Sequence, residues 1–153
     1  MTIAPIIGPT APMPVPRRSV RVILRTAEPE DGPTVANLAR NAGWRVEGID
    51  WSRIDPLWII AEIDGLIAGA LQVLPGRPMG MLDWLSIESE LRARTRGEVV
   101  KTLVLGGMAT LKRYGSQQVL CIIGDDLPEY QAVIRKRGAV PVLRGATCFT
   151  RAL

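Results

Sequence analysis

The sequence contains no histidine, and this absence limits its chemistry more than any other feature of the composition. Without histidine the chain cannot form a histidine-based catalytic triad, and it lacks the commonest metal ligand and the usual general base at neutral pH. Two cysteines occur, Cys121 and Cys148, and their spacing matches no metal-binding motif. We therefore expect no metal site, and reduced thiols of the kind found in cytoplasmic proteins.

Long apolar segments are also missing. No run approaches the roughly 18–20 apolar residues that a membrane-spanning helix needs, and the N-terminus lacks the basic and apolar segments of a secretory signal. With 153 residues, 47% of them hydrophobic and 22% charged, the chain has the size and composition of one folded domain. The sequence thus predicts a cytoplasmic protein without membrane contact.

The net charge of +4 suits anionic partners such as coenzyme phosphates, acidic proteins or nucleic acid. Most of the basic residues are arginine, which favours paired hydrogen bonds to phosphate. No basic run is interleaved with aromatic residues, the pattern that binds single strands. Nucleic acid is therefore the least favoured of these partners.

Residues 1–18 form a proline-rich segment. Prolines occupy five of its first sixteen positions, and no charged residue precedes Arg17. Because the segment has neither helical nor strand periodicity, we expect a tail. It is either passive or an arm that docks on a protein partner or a second subunit, and the folded domain occupies residues 19–153.

The rest of the chain predicts a mixed α/β domain. Alternating apolar residues indicate a strand over residues 19–26, and an acidic start with an apolar face indicates a helix that ends at Gly43. Asp64-Gly65, between two β-rich runs, predicts a tight hairpin. There follow a strand over 81–87, a long helix over 98–114, a strand over 117–123 buried on both faces, a helix that stops at Gly138, and one or two final strands.

The segment ELRARTRGEVVKTL, residues 90–103, places three arginines and a glycine between a strand and a helix. A loop of this kind directs free backbone N–H groups at a ligand above the helix start, where the helix dipole favours phosphate oxygens. Arginine side chains add charge and paired hydrogen bonds. By itself the segment is either a phosphate-binding loop or an exposed basic loop.

The order of the elements, together with LSIESELRARTRGEV at residues 85–99, resembles the GNAT superfamily of N-acetyltransferases. In that family an Arg/Gln-x-x-Gly-x-Gly/Ala loop holds the pyrophosphate of acetyl-coenzyme A. Two registers fit: residues 92–97, with Thr95 replacing the middle glycine, and residues 94–99, with Val99 replacing the last small residue. The second is preferred because it gives the more usual helix length before Gly115.

Further matches extend the resemblance over residues 20–153. LRTAEPEDGPTVANLA looks like the family's opening strand and helix, with Arg25 and Asp31 in their usual relation. WIIAEIDGLIAGALQV looks like its hairpin, and PEYQAVIRKRGAVPV like its closing helix, glycine and strand. The implied fold is α/β in the α+β sense: a mixed, largely antiparallel central sheet flanked by helices.

The resemblance implies an acyl-coenzyme A-dependent N-acyltransferase. It would use acetyl-coenzyme A as cosubstrate, without a metal, and transfer the acyl group directly to a primary amine of a small molecule or protein, without an acyl-enzyme. A backbone N–H of the fourth strand would polarise the thioester carbonyl. The implied coenzyme-binding residues are Ile87, Arg92, Arg94, Thr95, Arg96, Gly97, Glu98 and Val99.

The same resemblance suggests catalytic groups. Asp83 and Glu88 are the candidate bases on the fourth strand, where alternation places them on opposite faces, and Glu88 is chosen because it lies nearer the loop. Many members use a tyrosine four residues before the last helix's glycine to protonate the thiolate. That position is Ile134, so Tyr130, one turn earlier, is the candidate acid. Glu88 could equally be a solvated charge and Tyr130 a packing residue.

Three tryptophans, Trp44, Trp51 and Trp58, frame the region where the family builds its acceptor pocket. They are either packing residues or walls for an apolar or aromatic acceptor. A second hypothesis is a GNAT fold that has lost catalysis and acts as a binding or structural module through its proline-rich arm. Val99 and Ile134 support it. A homodimer formed through strands is compatible with both hypotheses.

Overall fold

The computed structural model describes residues 20–123, 127–143 and 147–152. Within residues 141–143 and 147–152 the strand pairing is described but the side chains are not. The predicted tail, residues 1–18, and the side chain of Cys148 lie outside these residues. Among the helices described, none is long and apolar enough to cross a membrane.

The described strands form one seven-stranded sheet in the order β1-β2-β3-β4-β5-β7-β6. The strands are β1 Ile23–Thr26, β2 Trp58–Ile63, β3 Leu66–Leu74, β4 Met79–Ile87, β5 Gln118–Ile123, β6 Val140–Leu143 and β7 Thr147–Ala152. The α-helices are α1 Gly32–Asn41, α2 Ala93–Arg113 and α3 Pro128–Lys136. β4 and β5 are parallel and every other neighbouring pair is antiparallel, which confirms the predicted mixed, largely antiparallel sheet.

The β2–β3 hairpin forms at the predicted dipeptide. Asp64 and Gly65 both have positive φ, 52° and 79°, as the tightest hairpin turns require. Helices cover the two faces of the sheet separately. Ile59 of β2 belongs to the core beneath α2 and α3, whereas its neighbour Ile60 belongs to a smaller cluster with Val35 of α1. We call these the α2 face and the α1 face.

Two predicted features of the elements are wrong. The long helix begins at Ala93, five residues before residue 98, because no proline interrupts residues 93–97 and one glycine costs a helix only about 1 kcal/mol. β5 is not buried on both faces: Ile122 is 44% exposed while Val119 and Cys121 are buried. In the part of the chain that is described, only the α2 face of β5 contributes to a buried cluster.

An ion pair joins β1, β2 and the start of α1. The guanidinium of Arg25 donates two hydrogen bonds to Asp31, at 2.6 and 2.8 Å, and a third to Glu62 at 2.7 Å. The Asp31 carboxylate also accepts from the backbone N–H of Glu28. The hydrogen bonds from Arg25, opposed by partial burial, hold the pKa of Asp31 below its usual range, and the pKa of Arg25 is raised.

We predict that Asp31→Asn destabilises the fold by about 2 kcal/mol, because it leaves a partly buried guanidinium without its closest carboxylate. The pKa of Asp31 is lower in the folded than in the unfolded chain. Its contribution is therefore complete above about pH 4 and is lost as the pH falls through the folded-state pKa. Urea unfolding at pH 7 and at lower pH measures both effects.

The matched control is Asp64→Asn in the hairpin turn, where asparagine tolerates the same positive φ. It should leave stability within about 0.5 kcal/mol of the parent chain. An Asp31→Asn protein as stable as this control at pH 7 would contradict the prediction.

Candidate active site

A bulge in β4 lies next to the point where this strand stops pairing with β5. Gln72 of β3 pairs with Asp83, but Ala70 pairs with Ser86, so β4 contains one extra residue at this point. The bulge includes Trp84, whose φ of +52° is rare for a bulky residue. The parallel pairing of β4 with β5 ends at Leu82 and Cys121, just before the bulge. Beyond that point the two strands make no pairing, which leaves an edge of β4 unpartnered within the described sheet.

The backbone of Ile87 faces this open edge. The N–H of the next residue, Glu88, donates to the carbonyl of Ala68 in β3, at 3.0 Å. Successive backbone groups of a strand point to opposite sides. The N–H of Ile87 is therefore directed away from β3, towards the side where β5 has separated.

The start of α2 presents unpaired backbone amides. The first hydrogen bond of the helix runs from the N–H of Arg96 to the carbonyl of Arg92, at 2.9 Å, and no side chain caps the helix. The amides of Ala93, Arg94 and Thr95 therefore precede the first intrahelical bond, and none of them has an acceptor in the described residues. These are the groups that can bind phosphate oxygens.

The predicted coenzyme-binding residues around the start of α2 have different surroundings. Arg92 and Arg94 are exposed beside the free amides, and Arg96 lies 3.9 Å from Glu129 of α3. A Cβ added to Gly97 would meet no atom within 4 Å. Glu98 is further along the helix and pairs with Lys101 at 3.5 Å.

Val99 is fully buried in the core on the α2 face, so it does not crowd the helix start. Its Cγ1 and the Cδ1 of Ile87 both approach the position where a Cβ on Gly69 would lie, at 3.0 and 2.8 Å. The first turns of α2 thus pack directly against the end of β4. Both registers considered for the coenzyme loop, residues 92–97 and 94–99, overlap the first turns of α2, because the helix begins at Ala93.

Tyr130 is buried on the α2 face, with 2% of its surface exposed. Its hydroxyl has no hydrogen-bond partner of ordinary geometry among the described residues, and the neighbouring Cys121 thiol offers only a weak one. Burial, then Cys121, then the charge of Asp83 raise the pKa of Tyr130 well above 10. Since Cys121 and Leu82 form the last β4–β5 pair, the hydroxyl lies near the point where the strands separate.

The two candidate bases have different surroundings. Glu88 follows the last residue of β4, and its carboxylate accepts from the Ser89 hydroxyl at 3.3 Å and from the N–H of Glu90 at 3.4 Å. Asp83 lies at the bulge and accepts from the N–H of Trp84 at 2.8 Å. The extra residue in the bulge breaks the regular alternation that the sequence analysis used to place the two carboxylates on opposite faces.

All four tryptophans of the chain lie together on the α1 face. Trp44 stacks on Trp84 with ring centres 5.1 Å apart, and Trp51, Trp58 and Trp84 meet edge to face at 5.7 to 6.2 Å. Sequence reasoning identified three of them and missed Trp84. The signal was available, because a tryptophan directly after Asp83 in the fourth strand falls among the residues expected to face the thioester.

Two cavities are notable in the described part. One of about 240 Å³ lies on the α1 face between the tryptophans and the loop before β2. A larger one of about 570 Å³ lies between β1, β2 and the C-terminal half of α2. Because Gly106 in its wall is thirteen residues from the helix start, roughly 20 Å along the axis, this cavity is remote from the free amides. Within the described residues, no group of three or more potential ligands could hold a metal ion.

We predict that Tyr130→Phe leaves the free energy of unfolding unchanged or raises it by up to about 1 kcal/mol, because it removes a buried hydroxyl that lacks a good partner. Chemical unfolding of the two proteins measures this. A loss of more than 1 kcal/mol would show that the hydroxyl is satisfied within the free protein.

No family model matches the chain, and no curated protein matches its sequence. Its fold matches those of many solved structures. An acetyltransferase of the GNAT family from Staphylococcus aureus Mu50 has a TM-score of 0.70 and 12% identity over 87% of this chain and 99% of its own. Diaminobutyrate acetyltransferase from Paenibacillus lautus, in complex with its substrate and coenzyme A, has a TM-score of 0.65 and 15% identity. The match covers 88% of this chain and 96% of that enzyme.

A third similar structure is N-acetylglutamate synthase from Neisseria gonorrhoeae, complexed with coenzyme A and L-arginine. Its TM-score is 0.68, with 18% identity over 89% of this chain. The chain spans 34% of the length of that enzyme. At these identities the comparison establishes the fold, and the chain has the fold of the GNAT acetyltransferases.

Proposed function

We propose that the chain is an acyl-coenzyme A-dependent N-acyltransferase that transfers an acetyl group to a primary amine. The observation that carries the proposal is the coincidence of two independent features at one end of β4. The strand has an open edge beyond the bulge, and the free amides of α2 follow a five-residue connection. The N-acetylglutamate synthase and the diaminobutyrate acetyltransferase of similar fold contain coenzyme A.

Residues of the α2 start fit the pyrophosphate of the coenzyme. The amides of Ala93, Arg94 and Thr95 supply donors at the positive end of the helix dipole, and the exposed Arg92 and Arg94 side chains supply charge. The open space at Gly97 allows a ligand to approach the backbone. We propose Ile87 as the residue whose N–H polarises the acyl carbonyl, since it faces the open edge of β4.

The coenzyme would bring the acyl group as a thioester. In the transfer, the neutral amine forms a carbon–nitrogen bond to the acyl carbon, the carbon–sulfur bond breaks, and the bonding electrons leave on sulfur. A proton leaves the nitrogen and a proton is added to the sulfur, so the products are an amide and a free thiol. Two groups of the protein are therefore needed, one to accept and one to donate a proton.

Tyr130 is the proposed acid. Its hydroxyl carries a proton at neutral pH, as any tyrosine hydroxyl does, and its hydrogen-bonding capacity is not used well within the described residues. Of the two carboxylates, Asp83 is better placed than Glu88 to act as base. It lies at the bulge and its charge contributes to the pKa of Tyr130, whereas the Glu88 carboxylate is engaged in the connection to α2.

The alternative, an inactive binding module, is less well supported by the positions of Val99 and Ile134. It depended partly on Val99 in place of the last small residue of the coenzyme loop, and Val99 lies in the core. It also depended on Ile134 at the position of the acid. Ile134 is buried in the same cluster as Tyr130, one helical turn away. A tyrosine hydroxyl is therefore present close to the position that Ile134 occupies.

We predict that the protein binds acetyl-coenzyme A with a Kd below about 1 mM and that Gly97→Ala weakens binding about tenfold. The same substitution should raise the free energy of unfolding by about 0.5–1 kcal/mol, since the added methyl group has space and alanine favours a helix. Isothermal titration calorimetry and urea unfolding measure the two effects.

Thr102→Ala is the matched control, because it also improves helix propensity but lies more than one turn further along α2. It should stabilise the chain without changing coenzyme affinity. Absence of binding by the parent protein at millimolar coenzyme would remove the basis of the proposed function.

We predict that Asp83→Asn and Tyr130→Phe each lower kcat about 100-fold with little change in coenzyme affinity, because each removes a proton-transfer group. Glu88→Gln should lower kcat less than threefold. Release of the free thiol, followed with the best primary amine of a panel, measures the rates. A larger effect at Glu88 than at Asp83 would return the role of base to Glu88.

A further inference from the structure

The cavity of about 240 Å³ on the α1 face is lined by both aromatic and charged residues. The aromatic ones are Trp51, Trp58 and Trp84, and the charged ones, Asp50, Arg53 and Asp55, belong to the segment before β2. The volume falls just below the roughly 300–1,000 Å³ of pockets that bind drug-sized ligands. The cavity therefore suits a compact organic molecule.

The charged residues that line the cavity favour a cation. Arg53 is 86% exposed and lies 3.4 Å from Asp50, which also accepts from the N–H and hydroxyl of Ser52. Asp50 is thus partly neutralised. Asp55 accepts from the N–H of Leu57 at 2.9 Å and has no cationic partner among the described residues. Indole rings attract cations through their faces, so the tryptophans and the Asp55 carboxylate both favour a cationic ligand.

A second carboxylate lies at the other end of this surface. Trp58, Gln72 and Asp83 form one row across β2, β3 and β4, because each is the direct partner of the next. Two strand spacings separate Trp58 from Asp83, about 10 Å. Asp55 adjoins the start of the row, since its carbonyl accepts from the N–H of Trp58 at 3.1 Å. Trp84, next to Asp83, lines the cavity.

We infer that the acceptor is a short diamine that lies along this row. One amine loses a proton to Asp83 and is acylated at the open edge of β4. The other stays protonated and is held by Asp55 and the indole rings. This inference rests on the proposed function for the fate of the first amine, but binding of the second depends on the α1 face and can be measured without coenzyme.

The experiment uses three ligands of equal chain length that differ at one end. Putrescine has a second ammonium group, butylamine has a methyl group, and 4-aminobutyrate has a carboxylate. Because all four tryptophans belong to the cluster, intrinsic fluorescence reports on this surface. Titrations run at pH 7.5 and constant ionic strength without coenzyme, with calorimetry as a second readout so that a silent fluorescence signal is not taken as absence of binding.

We expect putrescine to bind about tenfold more tightly than butylamine, and 4-aminobutyrate most weakly, because the far end of the ligand meets an unneutralised carboxylate. Asp55→Asn should weaken putrescine about tenfold and butylamine less than twofold. Asparagine keeps an oxygen for the N–H of Leu57, so the loop should stay folded. Asp64→Asn, in the hairpin turn and outside the cavity lining, is the matched control and should change neither affinity.

Equal affinity for putrescine and butylamine, tighter binding of 4-aminobutyrate, or no binding of any ligand by either readout would overturn the inference. Each result is separate from the test of the proposed function. A protein that binds acetyl-coenzyme A but does not prefer putrescine keeps the acyltransferase assignment and loses the diamine. A protein that prefers putrescine but binds no coenzyme keeps the diamine-binding site and loses the acyltransferase assignment.

Discussion

The structure of the site depends on the loss of pairing between β4 and β5 after Leu82 and Cys121. The bulge that follows requires Trp84 to adopt a positive φ, a conformation that costs about 1–3 kcal/mol for a residue of this kind. Contacts of Trp84 with three other indole rings, each worth about 0.5–1.5 kcal/mol beyond burial, offset that cost. The tryptophan cluster therefore holds the bulge, and the bulge keeps the edge of β4 open.

The same bulge relates the two faces of the sheet. Tyr130 and the start of α2 belong to the α2 face, whereas the tryptophans and the 240 Å³ cavity belong to the α1 face. In the proposed function the coenzyme and the acceptor occupy different faces and meet only where β4 is unpaired. Asp83 lies at that meeting point. In the proposed function, this arrangement lets a chain without histidine place a base and an acid near the same reacting atoms.

Local signals in the sequence predicted much of the fold. Asp64-Gly65 specified the hairpin, because both residues tolerate the positive φ of a tight turn. Gly115 and Gly138 ended their helices for the same conformational reason. The pairing of Arg25 with Asp31 followed from the resemblance to a family. The start of α2 was misplaced because residues 93–97 are compatible with both loop and helix, and the choice depends on packing against β4.

The sequence by itself determined the element order, the hairpin, the helix stops and the residues from which a site could be built. Tertiary structure decided which of them meet. An extra residue in β4 changes which side chains share a face, and periodicity cannot reveal it because the bulge is stabilised by tryptophans from distant segments. For the same reason only the folded chain shows that the free amides belong to Ala93, Arg94 and Thr95, and that Val99 lies in the core.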